Sequence, residues 1–344
     1  MKIALDLGAA GWLGGRYYLQ NLALALDALP EDERPEVVGL GPPGSDALHE
    51  TVRSVTELPE GTSAIFPNWS VGNTGEVVQL TWIPDLQHRA LPHNFSALER
   101  LKREVGYRRF ARRAAAVVVS SETVGRAVGR AYPRLRHKLQ VVHFRTVVPE
   151  AVTEGSAQAR IRHLDVPEDF LLLPNQFWVH KNHRLAFEAL PRLGLPLVCT
   201  GATDDHRHPG HLEDLRAVLR AGGVEDRARI LGVVSRDDYL QLVRAARAVV
   251  QPSRFEGWSS VVEDARALGK AIALSDTHVH REQDPPRAAY FDVDDPAGLV
   301  TAVQTVLDRG SGDELSAVLE HRSLVTAYAR RFLEVVDGAL ERRR

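Results

Sequence analysis

The sequence is poor in sulfur and aromatics: one cysteine, one methionine and 6% Phe, Trp and Tyr in 344 residues. A single cysteine excludes an internal disulfide framework and fits a reducing compartment. No apolar stretch reaches the roughly 18 residues of a membrane-spanning helix. The opening "MKIALDLGAAGWLGG" has too short an apolar run for a secretory signal. Charge of one sign is also missing: Lys+Arg number 43 and Asp+Glu 45, a formal −2. That balance gives no global argument for a nucleic-acid partner. Repeats and low-complexity tracts are absent too. The expectation is a cytoplasmic protein, at most peripheral at the inner face of a membrane.

What is present is an ordinary globular composition, 44% hydrophobic and 26% charged. The length favours two domains, since single cores rarely grow past about 250–300 residues. Short apolar runs closed by Gly, Pro or Asn read as buried parallel strands: "KIALDLG", "EVVGLG", "AIFPN", "VVQLTWIPD", "AAAVVVSS" and "LQVVHF". Helical stretches alternate with several of them. In "YYLQNLALALDAL", Tyr18, Leu22, Ala25 and Leu29 fall on one face. A polar passage, "EGSAQARIRHLDVPED", precedes a second series: "FLLLPN", "LPLVCTG", "RARILGVV", "RAVVQPS", "KAIALSD" and "AAYFDV". Such alternation predicts α/β architecture with two doubly wound, Rossmann-like domains facing across a cleft. The expected first domain covers 1–155, with the closing helix 322–344 packing back on it, and the second covers 156–321.

The densest constellation is "QPSRFEGWSSVVEDARALGK", residues 251–270. A strand ends before Pro252, and a helix is expected from Ser260 as N-cap, with Glu263 completing a capping box and Gly269 closing it. The loop between, with Glu256, Gly257, Trp258 and Ser259, lies at the carboxyl end of a strand, where open α/β sheets bind ligands. Amides at the helix start, Ser260 and Val261, favour a phosphate. Glu256 is not needed by the cap and is expected to bind hydroxyls. Asp264 is expected to reach a second polyol such as a ribose. From local pattern alone, a capped core helix with a chance acid on its loop is an equal reading.

The stretch "PSRFEGWSSVVEDARALGKAIALSD" resembles the signature of nucleotide-sugar-dependent glycosyltransferases of family 4, in the subset reading E-G-W-S. That signature pairs two glutamates seven residues apart. Glu256 matches the first and Asp264 occupies the position of the second, with Glu263 as backup. "LLPNQFWVHKNHRLAFEAL" resembles the segment whose lysine meets the donor diphosphate, here Lys181, while Gln176 stands where the family usually has an arginine. "LQHRALPHNF" resembles the segment with an active-site histidine, here His88. "GWLGGRYYLQNL" resembles the glycine loop, with Gly14 and Gly15 near diphosphate and acceptor. "ILGVVSRDDY" resembles the loop that holds the base, with Gly232 and Val233.

The resemblance implies a GT-B fold and retaining, metal-independent transfer of a hexose-type sugar from a nucleoside-diphosphate sugar. The acceptor would be a carbohydrate, or a glycosylated small molecule or lipid. No cofactor is implied beyond the donor as co-substrate. A GT-B epimerase or hydrolase, and a non-catalytic nucleotide-sugar binder, stay open as alternatives. Base, sugar, acceptor and oligomeric state are not readable from the chain.

Other features carry less. His206, His208, His211, His278 and His280 sit at irregular spacing in loops, so no metal site is expected. Cys199, in an apolar strand, reads as inert packing. The basic run 98–113, "LERLKREVGYRRFARR", reads first as a solvated helix face, with an anionic membrane surface as the alternative.

Overall fold

The apolar runs become parallel strands in a computed structural model, which describes residues 1–8, 13–42, 52–70, 72 and 74–343. The chain folds into two compact units, residues 1–147 with 322–344, and 148–321.

The first unit holds a seven-stranded parallel sheet in the order β3-β2-β1-β4-β5-β6-β7. Its strands are β1 Lys2–Asp6, β2 Glu36–Leu40, β3 Arg53–Val55, β4 Ala64–Phe66, β5 Val78–Trp82, β6 Ala116–Val119 and β7 Leu139–Val141. Central strands β4, β5 and β6 are buried along their whole length, as continuous apolar runs require. β3, "RSV", is a mostly exposed edge strand with no apolar run, and it is absent from the strands expected above.

The second unit repeats the plan with six strands in the order β10-β9-β8-β11-β12-β13. These are β8 Leu171–Pro174, β9 Leu197–Thr200, β10 Ala228–Ile230, β11 Ala248–Gln251, β12 Ile272–Ser275 and β13 Ala288–Phe291. Alternate side chains of β8 enter opposite cores: Leu171 and Leu173 pack with Phe177, Phe187 and Val250, while Leu172 packs with Phe170, Val198 and Val249. Both faces are therefore apolar and covered by helices.

The division falls between 147 and 148 rather than after 155. Val152 is buried in the second unit's core, and its carbonyl accepts from Gln241 Nε2 at 3.0 Å and Arg244 Nη1 at 2.7 Å. The final helix, Glu314–Glu341, belongs to the second unit through His321 and to the first from Arg322. Within the first unit, its Phe332 ring meets Phe66 at 5.0 Å and Arg330 forms a two-pronged ion pair with Glu33.

Candidate functional site

In each sheet the strand order reverses beside the first strand laid down, and such reversals open a crevice at the strands' carboxyl ends. In the second unit the reversal lies between β8 and β11, and there the polar side chains converge. Asn175, just past β8, donates from Nδ2 to Gln251 Oε1 at 2.5 Å. Gln251 Nε2 donates to Glu256 Oε1 at 2.9 Å and to Ser259 Oγ at 3.1 Å. Lys181, ending the 3-10 turn Val179–Lys181, donates from Nζ to the same Glu256 oxygen at 2.7 Å. Two residues singled out separately in the sequence thus form one ion pair, and both side chains are largely buried.

Backbone geometry fixes this meeting. Asn182 adopts φ 59°, a left-handed conformation rare outside glycine, and turns the chain sharply after Lys181. Its Nδ2 donates to Pro252 O at 3.2 Å and Val293 O at 2.9 Å, and Arg254 N donates to His180 O at 2.8 Å. The loop carrying the lysine is thereby tied to the loop carrying the glutamate.

Electrostatics keep the pair charged. Burial alone would raise the Glu256 carboxyl, but the Lys181 ammonium beside it holds it below the ordinary carboxylate range. His280 is buried, its Nδ1 lies 2.8 Å from Ser275 O, and burial lowers its pKa. His180 is pushed down to about 3, first by burial and then by Lys181. A carboxylate and an ammonium therefore stand among neutral imidazoles.

The helix after the loop departs from expectation. It runs Ser260–Ala267 with Ser259, not Ser260, as N-cap, and no capping box forms. Glu263 instead points sideways, where Gln283 Nε2 donates to its Oε1 at 2.9 Å. The same Gln283 receives the Ser259 amide at 3.1 Å and donates to the Ser259 carbonyl at 2.9 Å. Glu263 is thus a fully buried brace between two helices, not a group facing a ligand. Asp264 is also buried: Arg236 grips it with two bonds of 2.9 and 2.6 Å, and Tyr239 Oη donates at 2.9 Å. Val261 packs into the core, Gly257, Trp258 and Ser260 are half-buried, and Gly269 closes the helix at φ +61°.

Gln176 is half-buried just past β8. Gly232 turns at φ +72° and its carbonyl receives Gly201 N at 2.8 Å, which leaves the next residue, Val233, 71% exposed. Gly201 itself, at φ +124°, lies so close to Asn175 that any side chain would collide with backbone.

In the first unit, Gly14 and Gly15 fall in the first turn of helix Leu13–Asp27, exposed and buried respectively; neighbouring Gly11 and Trp12 lie outside the described residues. His88 is buried in the short helix Gln87–Ala90, its Nε2 3.0 Å from Glu104 Oε1. Glu104 also accepts from Arg89 and Tyr132, and these bonds outweigh its burial and pull its pKa down to about 2. Burial lowers the His88 pKa despite that carboxylate.

Two residues that sequence reasoning passed over, Asn175 and Gln251, join the second unit's network, and His280, weighed only as a metal ligand, lies near it. Asn175 and Gln251 had a readable signal, since each is a polar residue at the carboxyl end of an apolar strand. For His280 the sequence carries no sign of this role, because only the fold brings it near Glu256. Among the described residues, no group of three or more His, Cys, Asp or Glu side chains could hold a metal ion. Cys199 is buried, and burial pushes its thiol pKa up.

Comparison with known proteins fits this geometry. Residues 168–309 match a protein-family model described as "Glycosyl transferases group 1". No curated protein sequence matches significantly. Among solved structures, sucrose-phosphate synthase from Thermosynechococcus elongatus superposes with TM-score 0.67 at 16% identity, over 99% of this chain and 95% of that one. Anabaena HepE, solved with UDP-glucose, gives 0.67 at 16% identity, covering 99% of this chain and 98% of that chain. AviGT4, a glycosyltransferase of avilamycin A biosynthesis, gives 0.65 at 18%, covering 99% and 98%. The second unit therefore carries a glycosyltransferase domain, and the chain has the GT-B fold of these enzymes.

Proposed function

We propose that this glycosyltransferase takes a hexose-type sugar from a nucleoside-diphosphate donor held by the second unit. It passes the sugar, with retained anomeric configuration and without a metal, to a carbohydrate or a glycosylated small-molecule or lipid acceptor. The observation that carries the reading is the Lys181–Glu256 pair at the reversal between β8 and β11. A nucleoside diphosphate is already a good leaving group, so no raised-pKa carboxylic acid need protonate it. What needs stabilising is negative charge gathering on the departing phosphate, and a fixed ammonium in a partly dry site supplies that. Removing one such donor costs about 2.7–4 kcal/mol of barrier in enzymes where it has been measured.

On this reading Lys181 exchanges its glutamate partner for the donor diphosphate. The freed Glu256 then accepts from sugar hydroxyls and orients the anomeric carbon. The first-turn amides of helix Ser260–Ala267, which a helix cannot bond internally, add to the phosphate site. The Ser259 amide is spent on Gln283, so the phosphate-facing donors start at Ser260. Exposed Val233 on its glycine turn suits the flat face of a base. Gln176 leaves this site with one cation fewer than an arginine there would give. Asp264, already gripped by Arg236 and Tyr239, would orient the ribose side of the pocket through that arginine. His88 is proposed to position sugar or acceptor hydroxyls through its Nδ1, since its Nε2 is taken by Glu104.

The membrane alternative for the basic helix Ala97–Arg113 gains one supporting observation. Leu98, Leu101 and Val105 share its outer face at 59%, 59% and 53% exposure, alongside exposed Lys102 and Arg109. An apolar stripe flanked by cations suits peripheral contact with anionic lipid.

A thermal-shift screen across nucleoside diphosphates tests the donor site. A ligand at 100 times its Kd adds about 2.7 kcal/mol of stability. The parent should be stabilised by one base series, and Lys181→Ala should lose most of that shift. Indifference of the parent to every nucleoside diphosphate would overturn the proposal.

A further inference from the structure

We propose a second anion site, lined wholly by residues of the first unit, that takes a ligand bearing adjacent phosphate groups. A groove of about 930 Å³ runs between helix Glu122–Ala131, strand β7 and the final helix, and five arginines and a histidine line it: Arg126, Arg130, Arg136, Arg145, Arg331 and His143. Among the described residues, its one acidic lining residue is Glu122. The chain as a whole is near neutral, so this is a strong local departure.

Several exposed arginines elsewhere are matched with acids: Arg220 with Glu213, Arg247 with Asp169, Arg281 with Asp276 and Arg330 with Glu33. In the groove, Arg126 and Arg136 are bonded to neutral groups. Arg126 donates to Thr123 Oγ1 at 3.1 Å, and Arg136 Nε donates to Gly129 O at 2.9 Å. Arg130 meets no acid among the described residues. Arg331 gives one nitrogen to Glu334, but two others go to Val141 O at 3.3 Å and Gln140 Oε1 at 2.9 Å, which pins its guanidinium on the free edge of β7. Gathered guanidinium groups repel one another, and an anion relieves that repulsion.

The backbone is shaped for the gathering. Gly125 and Gly129, one turn apart, face β7 and the turn behind it; a Cβ at 125 would already touch Val119 and Val141, and at 129 Arg136 and Leu139. A small residue at each lets the helix settle close, and Arg126 and Arg130, each next along the helix, then stand over the groove. The floor is apolar, made by Leu139, Val141 and Leu324. Planar guanidinium forks fixed by their own hydrogen bonds above such a floor suit paired phosphate oxygens better than single carboxylates.

Calorimetric titration with inorganic pyrophosphate tests the site, using the parent, Arg126→Gln/Arg130→Gln, Arg331→Gln and Lys181→Ala. A parallel arm measures sedimentation with vesicles of equal parts phosphatidylcholine and phosphatidylglycerol. Each arginine variant should weaken pyrophosphate binding at least ~10-fold, the equivalent of one charge-assisted hydrogen bond, while Lys181→Ala keeps that component. Loss of vesicle binding alone in the arginine variants would assign the phosphate to a lipid headgroup. Circular dichroism confirms folding, and Arg331→Gln reads the site from a different helix. A parent that binds neither probe, or arginine variants that bind both as the parent does, would overturn the proposal.

Discussion

The two units share one topology and use it differently. In the second, the crevice at the sheet's reversal holds a charged pair, Lys181 and Glu256, linked through Gln251 to Asn175 on the neighbouring strand. In the first, the acid at the carboxyl end of β1 is engaged internally: Asp6 is buried, takes the Gly8 amide at 3.0 Å and the Ser70 amide at 2.8 Å, and also bonds the Ser70 hydroxyl. Burial raises its pKa despite those bonds. His88 is likewise buried and bonded through Nε2 to Glu104, which leaves its Nδ1 unengaged. The first unit gathers its positive charge outside, in the arginine groove and on helix Ala97–Arg113. The same topology thus carries a linked charged pair at one reversal and an internally bonded acid at the other, and local side chains decide which.

Three experiments probe that contrast, in order of effect. Glu256→Ala should cut turnover by at least ~100-fold, because the sugar loses its orienting partner. Affinity for the nucleoside diphosphate should hold or tighten, since Lys181 no longer pairs with a carboxylate. A parallel fall in both would place Glu256 in the phosphate site, and normal turnover would remove it from the chemistry.

Acid titration comes next. His180 and His183 are buried neutral in the second unit, each pushed down to about 3, chiefly by burial. An unfolded histidine titrates near 6.5, so the unfolded state binds the proton first. Their contribution to stability is therefore complete above about 6.5 and declines as pH falls toward 3. The slope is up to about 1.4 kcal/mol per pH unit for each histidine. Urea unfolding followed through Trp178 and Trp258 fluorescence, against Trp69 and Trp82 for the first unit, should show the second unit weakening more steeply from pH 6.5 to 5. Equal slopes would mean these imidazoles are not the source.

The smallest effect belongs to the basic helix. Leu101→Asp should reduce sedimentation with phosphatidylglycerol vesicles several-fold and leave turnover on a water-soluble acceptor unchanged. Undiminished sedimentation would return this face to solvent.

Legibility followed sequence distance. Thirteen strands are found among the described residues, and twelve correspond to apolar runs closed by Gly, Pro, Asn or polar residues; β3 has no such run because an exposed edge strand needs none. The local pattern predicts a capping box at Ser260, and it does not form for a nonlocal reason: Gln283, some twenty residues on, offers Glu263 a better-buried partner than its own helix start does. Asp264 likewise looks ligand-facing in one dimension and is gripped by Arg236 in three. The arginine groove is not legible in the sequence because near-neutral net charge averages away Arg126, Arg130, Arg136 and Arg145, and Arg331 joins them only through the final helix.

The order of strands and helices, the parallel sheets, and the loop that carries Glu256 were determined by the sequence itself, because apolar periodicity and turn residues act over a few positions. Which polar groups meet was decided only by the tertiary structure. Lys181 finds Glu256 across 75 residues, and a buried charge has no stable place until its partner is brought to it.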